Sequence, residues 1–150
     1  MYKINFINKL TKIVVDIFFY LGIITVVSVP FIIPKIIKNL NLSQSLILPT
    51  IITLLLSGAC AVYIIFQLKK IFKTLTSGNP FVVKNTICLK NMAIAAFIIS
   101  IIYLYKLTYW FTPATVIIVL VFLVAGLFCL TLEDLFTQAI KFKEDNDLTI

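Results

Sequence analysis

The residues of this chain that could do chemistry are few, and they lie at the edges of long apolar runs. Asp16 stands near the start of the first run, and Glu133 and Asp134 follow the last one. A carboxylate deep inside a membrane span would suit proton or ion coupling. At the edge of a span, a helix dipole or a nearby lysine favours a structural role instead. We expect that structural role, with ion coupling by Asp16 or Glu133 as the alternative.

Enzymatic sites are mostly absent from the sequence. The chain has no histidine, so it has no Ser-His-Asp triad, no His-containing metal site and no HExxH zinc motif. Cys60, Cys88 and Cys129 show no CxxC spacing, and the four glycines form no nucleotide-binding motif. We therefore expect a protein that is not an enzyme and that carries no metal or other cofactor.

Composition indicates an integral membrane protein with a single domain over residues 1–150. Hydrophobic residues make up 61% of the chain and charged residues 13%, and the mean hydropathy is +1.11. The net charge of +7 comes from lysines that flank the apolar runs, and there is no arginine. This pattern favours contact with a membrane surface over direct binding of nucleic acid.

The apolar runs predict an all-α, polytopic fold with four transmembrane helices. Each run is close to the roughly 20 residues that a helix needs to cross a bilayer. None shows the alternation of a β-barrel strand. The predicted spans are residues 13–33, 46–68, 92–111 and 112–132.

Several residue types indicate where the helices end and meet. Pro30 and Pro34 should kink or end the first helix, and a tight hairpin should run from Lys106 to Pro113. Small residues indicate packing faces, with dimerisation as the alternative: Ser57, Ala61, Ala96, Ser100, Ala125 and Gly126. Aromatic residues predict an outer membrane boundary at the end of the third span: Tyr103, Tyr105, Tyr109 and Trp110.

The lysines predict the orientation. Ten lie beside the chain termini or in the insert of residues 69–91, and three (Lys35, Lys38 and Lys106) lie at the opposite ends of the spans. By the positive-inside rule, both termini and the insert should be cytoplasmic. The composition, rich in Ile, Lys and Asn, suggests an AT-rich bacterial genome and therefore the bacterial cytoplasmic membrane.

The insert carries the clearest local signals. The second helix should continue past the span through Leu75, with Lys69 and Lys73 towards the headgroups. Gly78 suits the left-handed position after a helix end, Asn79 suits an N-cap, and Pro80 suits the first turn of a new helix. Phe81 should pack beneath this corner or dip into the bilayer boundary, and Asn85 should lie on the helix leading into the third span. The insert is either a surface connector or a docking surface for a cytoplasmic partner.

Beyond the fourth span, residues 133–150 predict a helical extension with an apolar stripe that leans on the insert. Glu133 and Asp134 should then face Lys69, Lys73 or Lys90.

Two segments resemble a bacterial membrane family known as domain of unknown function 2975. They are the run of residues 68–85, with its Gly78-Asn79-Pro80-Phe81 corner and the following Asn85, and the tail of residues 143–150. The likeness covers roughly residues 60–150. Genes of this family often lie beside one for a small helix-turn-helix DNA-binding protein of the Cro/C1 type. The resemblance thus implies a membrane partner for a transcription regulator, and it supplies no catalytic residues.

The leading hypothesis is a membrane protein that binds such a regulator through the insert and the carboxyl-terminal helix. The partner-binding candidates are Lys69, Lys73, Gly78, Asn79, Pro80, Phe81, Asn85, Glu133 and Asp134. The alternative is a small transport- or immunity-type protein that acts within the bilayer.

Overall fold

The computed structural model of the protein describes residues 6–78 and 80–148. Over this part, the chain forms no strand and four α-helices: α1 (Phe6–Asn39), α2 (Ile47–Thr76), α3 (Val83–Lys106) and α4 (Pro113–Leu148). A short 3₁₀ turn, Gln44–Leu46, precedes α2. All four helices are long and apolar enough to cross a membrane. A helix pairs its own backbone N–H and C=O groups, as an apolar surrounding requires. The predicted all-α fold with four spans is confirmed.

The helices are longer than the spans, at 34, 30, 24 and 36 residues in chain order. The insert of residues 69–91 is therefore the end of α2, a corner of residues 77–82 and the start of α3. The carboxyl-terminal extension is a continuation of α4 to Leu148. Residues 149–150 lie outside the described part. The start of α1, the end of α4 and the corner lie at one end of the bundle, here called the terminal end, and residues 40–46 and 107–112 form the loop end.

The expectation that Pro30 and Pro34 end the first helix is wrong, because α1 runs through both prolines to Asn39. A proline leaves only one or two backbone groups without a hydrogen-bond partner. Ending the helix in an apolar surrounding would leave many more of them unpaired. The chain turns away from the helix at Asn41, which has a positive φ of 52°. There the Leu42 N–H donates to the Ile37 carbonyl at 3.1 Å, which closes the last turn.

The third helix ends at Lys106, so the predicted span to residue 111 is too long. Residues 107–112 form the expected hairpin. The Tyr109 hydroxyl lies 2.8 Å from the Thr53 hydroxyl and donates to the Pro49 carbonyl at 3.3 Å, so it ties the hairpin to α2. Hydropathy misses this ending because Leu107, Tyr109 and their neighbours are apolar enough to continue a span.

Helix α3 lies at the centre of the bundle. It packs against both α2 and α4, while α1 packs against α2 alone. The backbones of α1 and α4 stay more than 8 Å apart throughout the described residues. A groove of about 200 Å³ lies between them, over Ile99 and Tyr103 of α3. Tyr103 is 9% exposed and belongs to the core, so it is not part of a boundary belt, whereas Tyr105 is 68% exposed.

Most of the predicted small residues lie at helix contacts, while Ala125 is only partly buried. Ser57, Ala96 and Ser100 are buried. The Ser100 hydroxyl donates to the Val119 carbonyl of α4 at 3.2 Å. Two glycines allow the closest approaches: a Cβ at Gly126 would lie 2.7 Å from the Phe97 ring, and a Cβ at Gly58 would lie 2.7 Å from Val26 Cγ2.

Gly58→Leu should lower the free energy of unfolding by about 1–3 kcal/mol because the added side chain overlaps Val26. Valine in a helix keeps essentially one rotamer, so α1 has to move away from α2. Unfolding of the purified protein by SDS in mixed micelles measures this change. Ala59→Leu is the matched control, since it adds the same side chain to an exposed position of α2.

Val26→Ala should restore part of the stability lost in the Gly58→Leu variant, because it removes the overlapping methyl groups. Equal losses for Gly58→Leu and Ala59→Leu, with no restoration by Val26→Ala, would contradict the close contact between α1 and α2.

Candidate functional site

The corner between α2 and α3 begins where Gly78 turns the chain out of α2. Gly78 has a φ of 82°, a left-handed conformation that glycine adopts without a steric penalty. The Ser77 N–H donates to the Lys73 carbonyl at 3.2 Å and the Gly78 N–H to the Leu75 carbonyl at 3.3 Å, which pairs the last carbonyls of the helix. The predicted role of Gly78 is confirmed. Asn79, predicted to cap the next helix, lies outside the described residues.

Asn85 holds the corner together. Its side chain is fully buried. The amide nitrogen Nδ2 donates to the Pro80 carbonyl at 2.7 Å and to the Thr74 hydroxyl at 2.7 Å. Its own backbone N–H donates to the Val82 carbonyl at 2.9 Å. One residue of α3 thus binds the end of α2 and two positions of the connecting loop.

This arrangement corrects the prediction for Pro80, which is not in the first turn of a helix. The Val82 N–H donates to the Pro80 carbonyl at 3.2 Å, which closes a tight turn over Phe81. Val82, with φ −130° and ψ 143°, is extended and is the last residue before α3. The Pro80 carbonyl is turned towards the Asn85 amide, and that hydrogen bond is incompatible with a helix that begins at Pro80. The helix begins three residues later, at Val83.

Phe81 joins the corner to the extension of α4. Its ring centroid lies 5.4 Å from that of Phe136. Phe136 also packs with Leu132 on a buried cluster formed by Ile71, Cys88, Leu89 and Met92. The predictions that the extension leans on the insert and that Phe81 packs at the corner are both confirmed. Phe81 nevertheless remains 45% exposed.

The charged candidates do not pair as expected. Among the described residues, Glu133 and Asp134 form no ion pair with Lys69, Lys73 or Lys90. The Asp134 carboxylate accepts from the Gln138 amide at 2.9 Å, and the Glu133 carboxylate accepts from the Thr137 hydroxyl at 3.4 Å. Both are bonds within one helix. For Lys69 and Lys73 the reason is geometric: α3 separates α4 from α2, so the carboxylates have no short path to the lysines of α2.

Lys69 instead pairs with Asp16, the carboxylate of α1. Lys69 Nζ lies 2.9 Å from Asp16 Oδ1, and both side chains are about one-third exposed, at 35% and 34%. The lysine that accompanies Asp16 therefore comes from α2, across the contact between the two helices. The sequence contained the information needed to predict this pair, because in two consecutive antiparallel spans the start of the first lies beside the end of the second.

The candidate site has the character of a binding surface. Its polar groups are lysines, amides and hydroxyls. Within the ranges that the structure describes, no group of three His, Cys, Asp or Glu side chains could hold a metal ion. The corner leaves Ser77, Gly78, Phe81 and Lys84 exposed on the surface. We call these four residues the corner surface.

The model of a family described as "Protein of unknown function (DUF2975)" matches residues 10–150. The match extends the resemblance seen in the sequence, which covered roughly residues 60–150, to most of α1. No curated protein and no solved structure matches the chain.

Asn85→Asp should destabilise the corner by about 1–3 kcal/mol, because a carboxylate of the same shape cannot donate to the Pro80 carbonyl. The measurement is amide hydrogen exchange of residues 77–85 in micelles, which should become faster. Asn41→Asp is the control, since it adds the same charge to an exposed turn at the loop end. Unchanged exchange in the Asn85→Asp variant would mean that the amide does not hold the corner.

Proposed function

This chain belongs to the DUF2975 family, and we propose that it is a non-enzymatic membrane anchor for a small cytoplasmic helix-turn-helix DNA-binding regulator. The regulator binds to the corner surface and is held at the bacterial cytoplasmic membrane, away from DNA. Both chain termini lie on the same, cytoplasmic side.

The distribution of charge supports this orientation. The terminal end carries Lys69, Lys70, Lys73, Lys84 and Lys90 within and beside the corner. Lysines next to spans are retained on the cytoplasmic side during insertion. The corner surface then faces the compartment that contains DNA and its regulators.

The observation that carries the proposal is the buried Asn85 amide, which holds a short loop in one conformation. A docking surface gains from it, because a surface already held in its binding conformation loses less conformational entropy when a partner binds. Asn85 is fully buried, and its hydrogen bonds to Thr74 and Pro80 are 2.7 Å long.

The chemistry of the corner surface suits a protein partner. Phe81 offers an aromatic ring that is 45% exposed and braced by Phe136. Ser77 and Lys84, which are polar, are exposed on the same corner. An aromatic anchor inside a polar rim is the usual composition of a protein–protein contact. The resemblance to a family whose genes often lie beside one for a Cro/C1-type protein favours a protein of that type as the partner.

Phe81→Ala should release the regulator from the membrane. The experiment expresses the full chain with the Cro/C1-type protein encoded beside it and measures the fraction of that protein in sedimented membranes. We expect a severalfold loss, since truncating an anchor costs about 2 kcal/mol or more of binding free energy. Phe111→Ala is the matched control, because it removes a ring that is 67% exposed at the loop end.

Membrane retention that survives Phe81→Ala, or that falls equally with Phe111→Ala, would contradict docking at the corner surface. A regulator that stays cytosolic even with the unaltered chain would contradict the proposed function itself.

A further inference from the structure

A second polar site lies at the terminal end, on the side of α2 that faces α1. It is a cavity of about 420 Å³ lined by Lys12, Asp16, Phe66, Lys69, Lys70 and Lys73. We call it the lysine cavity. It lies apart from the contact between Phe81 and Phe136, and the proposed docking of a regulator makes no use of it.

The charges of the lysine cavity are unbalanced. Four lysines line it together with one carboxylate, Asp16. That carboxylate is 2.9 Å from Lys69 Nζ. Among the described residues, Lys12, Lys70 and Lys73 form no ion pair with an acidic side chain. Like charges gathered beside apolar helices repel more strongly than in water, so a bound anion would stabilise the cluster.

Neighbouring side chains hold two of the lysines in place. Lys70 Nζ donates to the Gln67 side-chain carbonyl at 3.4 Å and lies 4.3 Å from the centre of the Phe66 ring. Gln67 itself is only 2% exposed. Lys69 Nζ lies 5.3 Å from the Phe19 ring centre and 5.6 Å from that of Tyr20. The cations are therefore positioned without a ligand, which lowers the entropic cost of binding one.

We propose that the lysine cavity binds a phosphoryl group, supplied either by the headgroup of an anionic phospholipid or by inorganic phosphate. Ammonium groups bind phosphate oxygens as point charges, and several converging on one cavity match a group with several anionic oxygens. The cavity lies where the apolar parts of α1 and α2 end, which is the depth of the headgroups in a membrane. The half-exposed Phe66 ring adds an apolar wall.

The test uses the purified full-length protein in neutral detergent micelles. Native mass spectrometry measures binding of phosphatidylglycerol and of phosphatidylcholine with the same acyl chains. We expect phosphatidylglycerol to bind more tightly, and the double variant Lys70→Gln/Lys73→Gln to weaken its binding by about tenfold or more. Lys84→Gln/Lys90→Gln is the matched control, because it removes two exposed lysines from the same end of the bundle.

Asp16→Asn provides a variant whose expected effect is a gain. It removes the one carboxylate of the cavity and frees the Lys69 charge, so phosphatidylglycerol should bind more tightly. A misfolded protein would not show this gain.

Inorganic phosphate, added as a competitor, distinguishes the two sources. If millimolar phosphate displaces phosphatidylglycerol, the cavity takes the free anion. If it does not, the lipid headgroup is the ligand. Equal binding of the two lipids, an equal loss in both double variants, or weaker binding after Asp16→Asn would overturn the proposal.

Discussion

Helices as apolar as these gain no hydrophobic free energy from packing against one another when lipid is the alternative surrounding. They associate through close backbone approach and through polar groups that bond across helices. In the described residues, four such contacts join the bundle. The Asn85 amide bonds to Thr74 and Pro80 and Lys69 pairs with Asp16 at the terminal end, the Tyr109 hydroxyl bonds with Thr53 at the loop end, and Ser100 bonds to the Val119 carbonyl between them. The architecture depends on these few contacts and on the glycines that let α1 and Phe97 come close.

The position of α3 places the two proposed sites on different sides of α2. Helix α3 lies between α2 and α4 and is the most buried of the four spans, with 44% of its most apolar window buried. The two proposed sites then occupy different sides of α2. The lysine cavity is shared with α1, and the corner surface is shared with α3 and α4. A regulator and a phosphoryl group could thus be bound at the same time by one helix end.

Hydropathy was sufficient to predict the number of helices, and Gly78 was readable because a positive φ strongly favours glycine. Helix ends that depend on tertiary contacts could not be predicted from the sequence. The hydroxyl of Tyr109 stops α3 before its apolar run ends, and the amide of Asn85 delays the start of α3 beyond Pro80. The prediction of ion pairs was wrong for a related reason. Glu133 and Asp134 were matched to lysines by depth alone, whereas the order of packing brings Asp16 to Lys69.

The most direct test of the central claim replaces Phe81 with a photo-reactive amino acid in the full chain, in native membranes, and identifies the cross-linked product by mass spectrometry. The same substitution at Phe111 serves as the control, since that ring is exposed at the other end of the bundle. We predict that position 81, and not position 111, cross-links to a small helix-turn-helix protein. Products containing only lipid at position 81, or the same protein products at both positions, would contradict the claim that the corner is a docking surface.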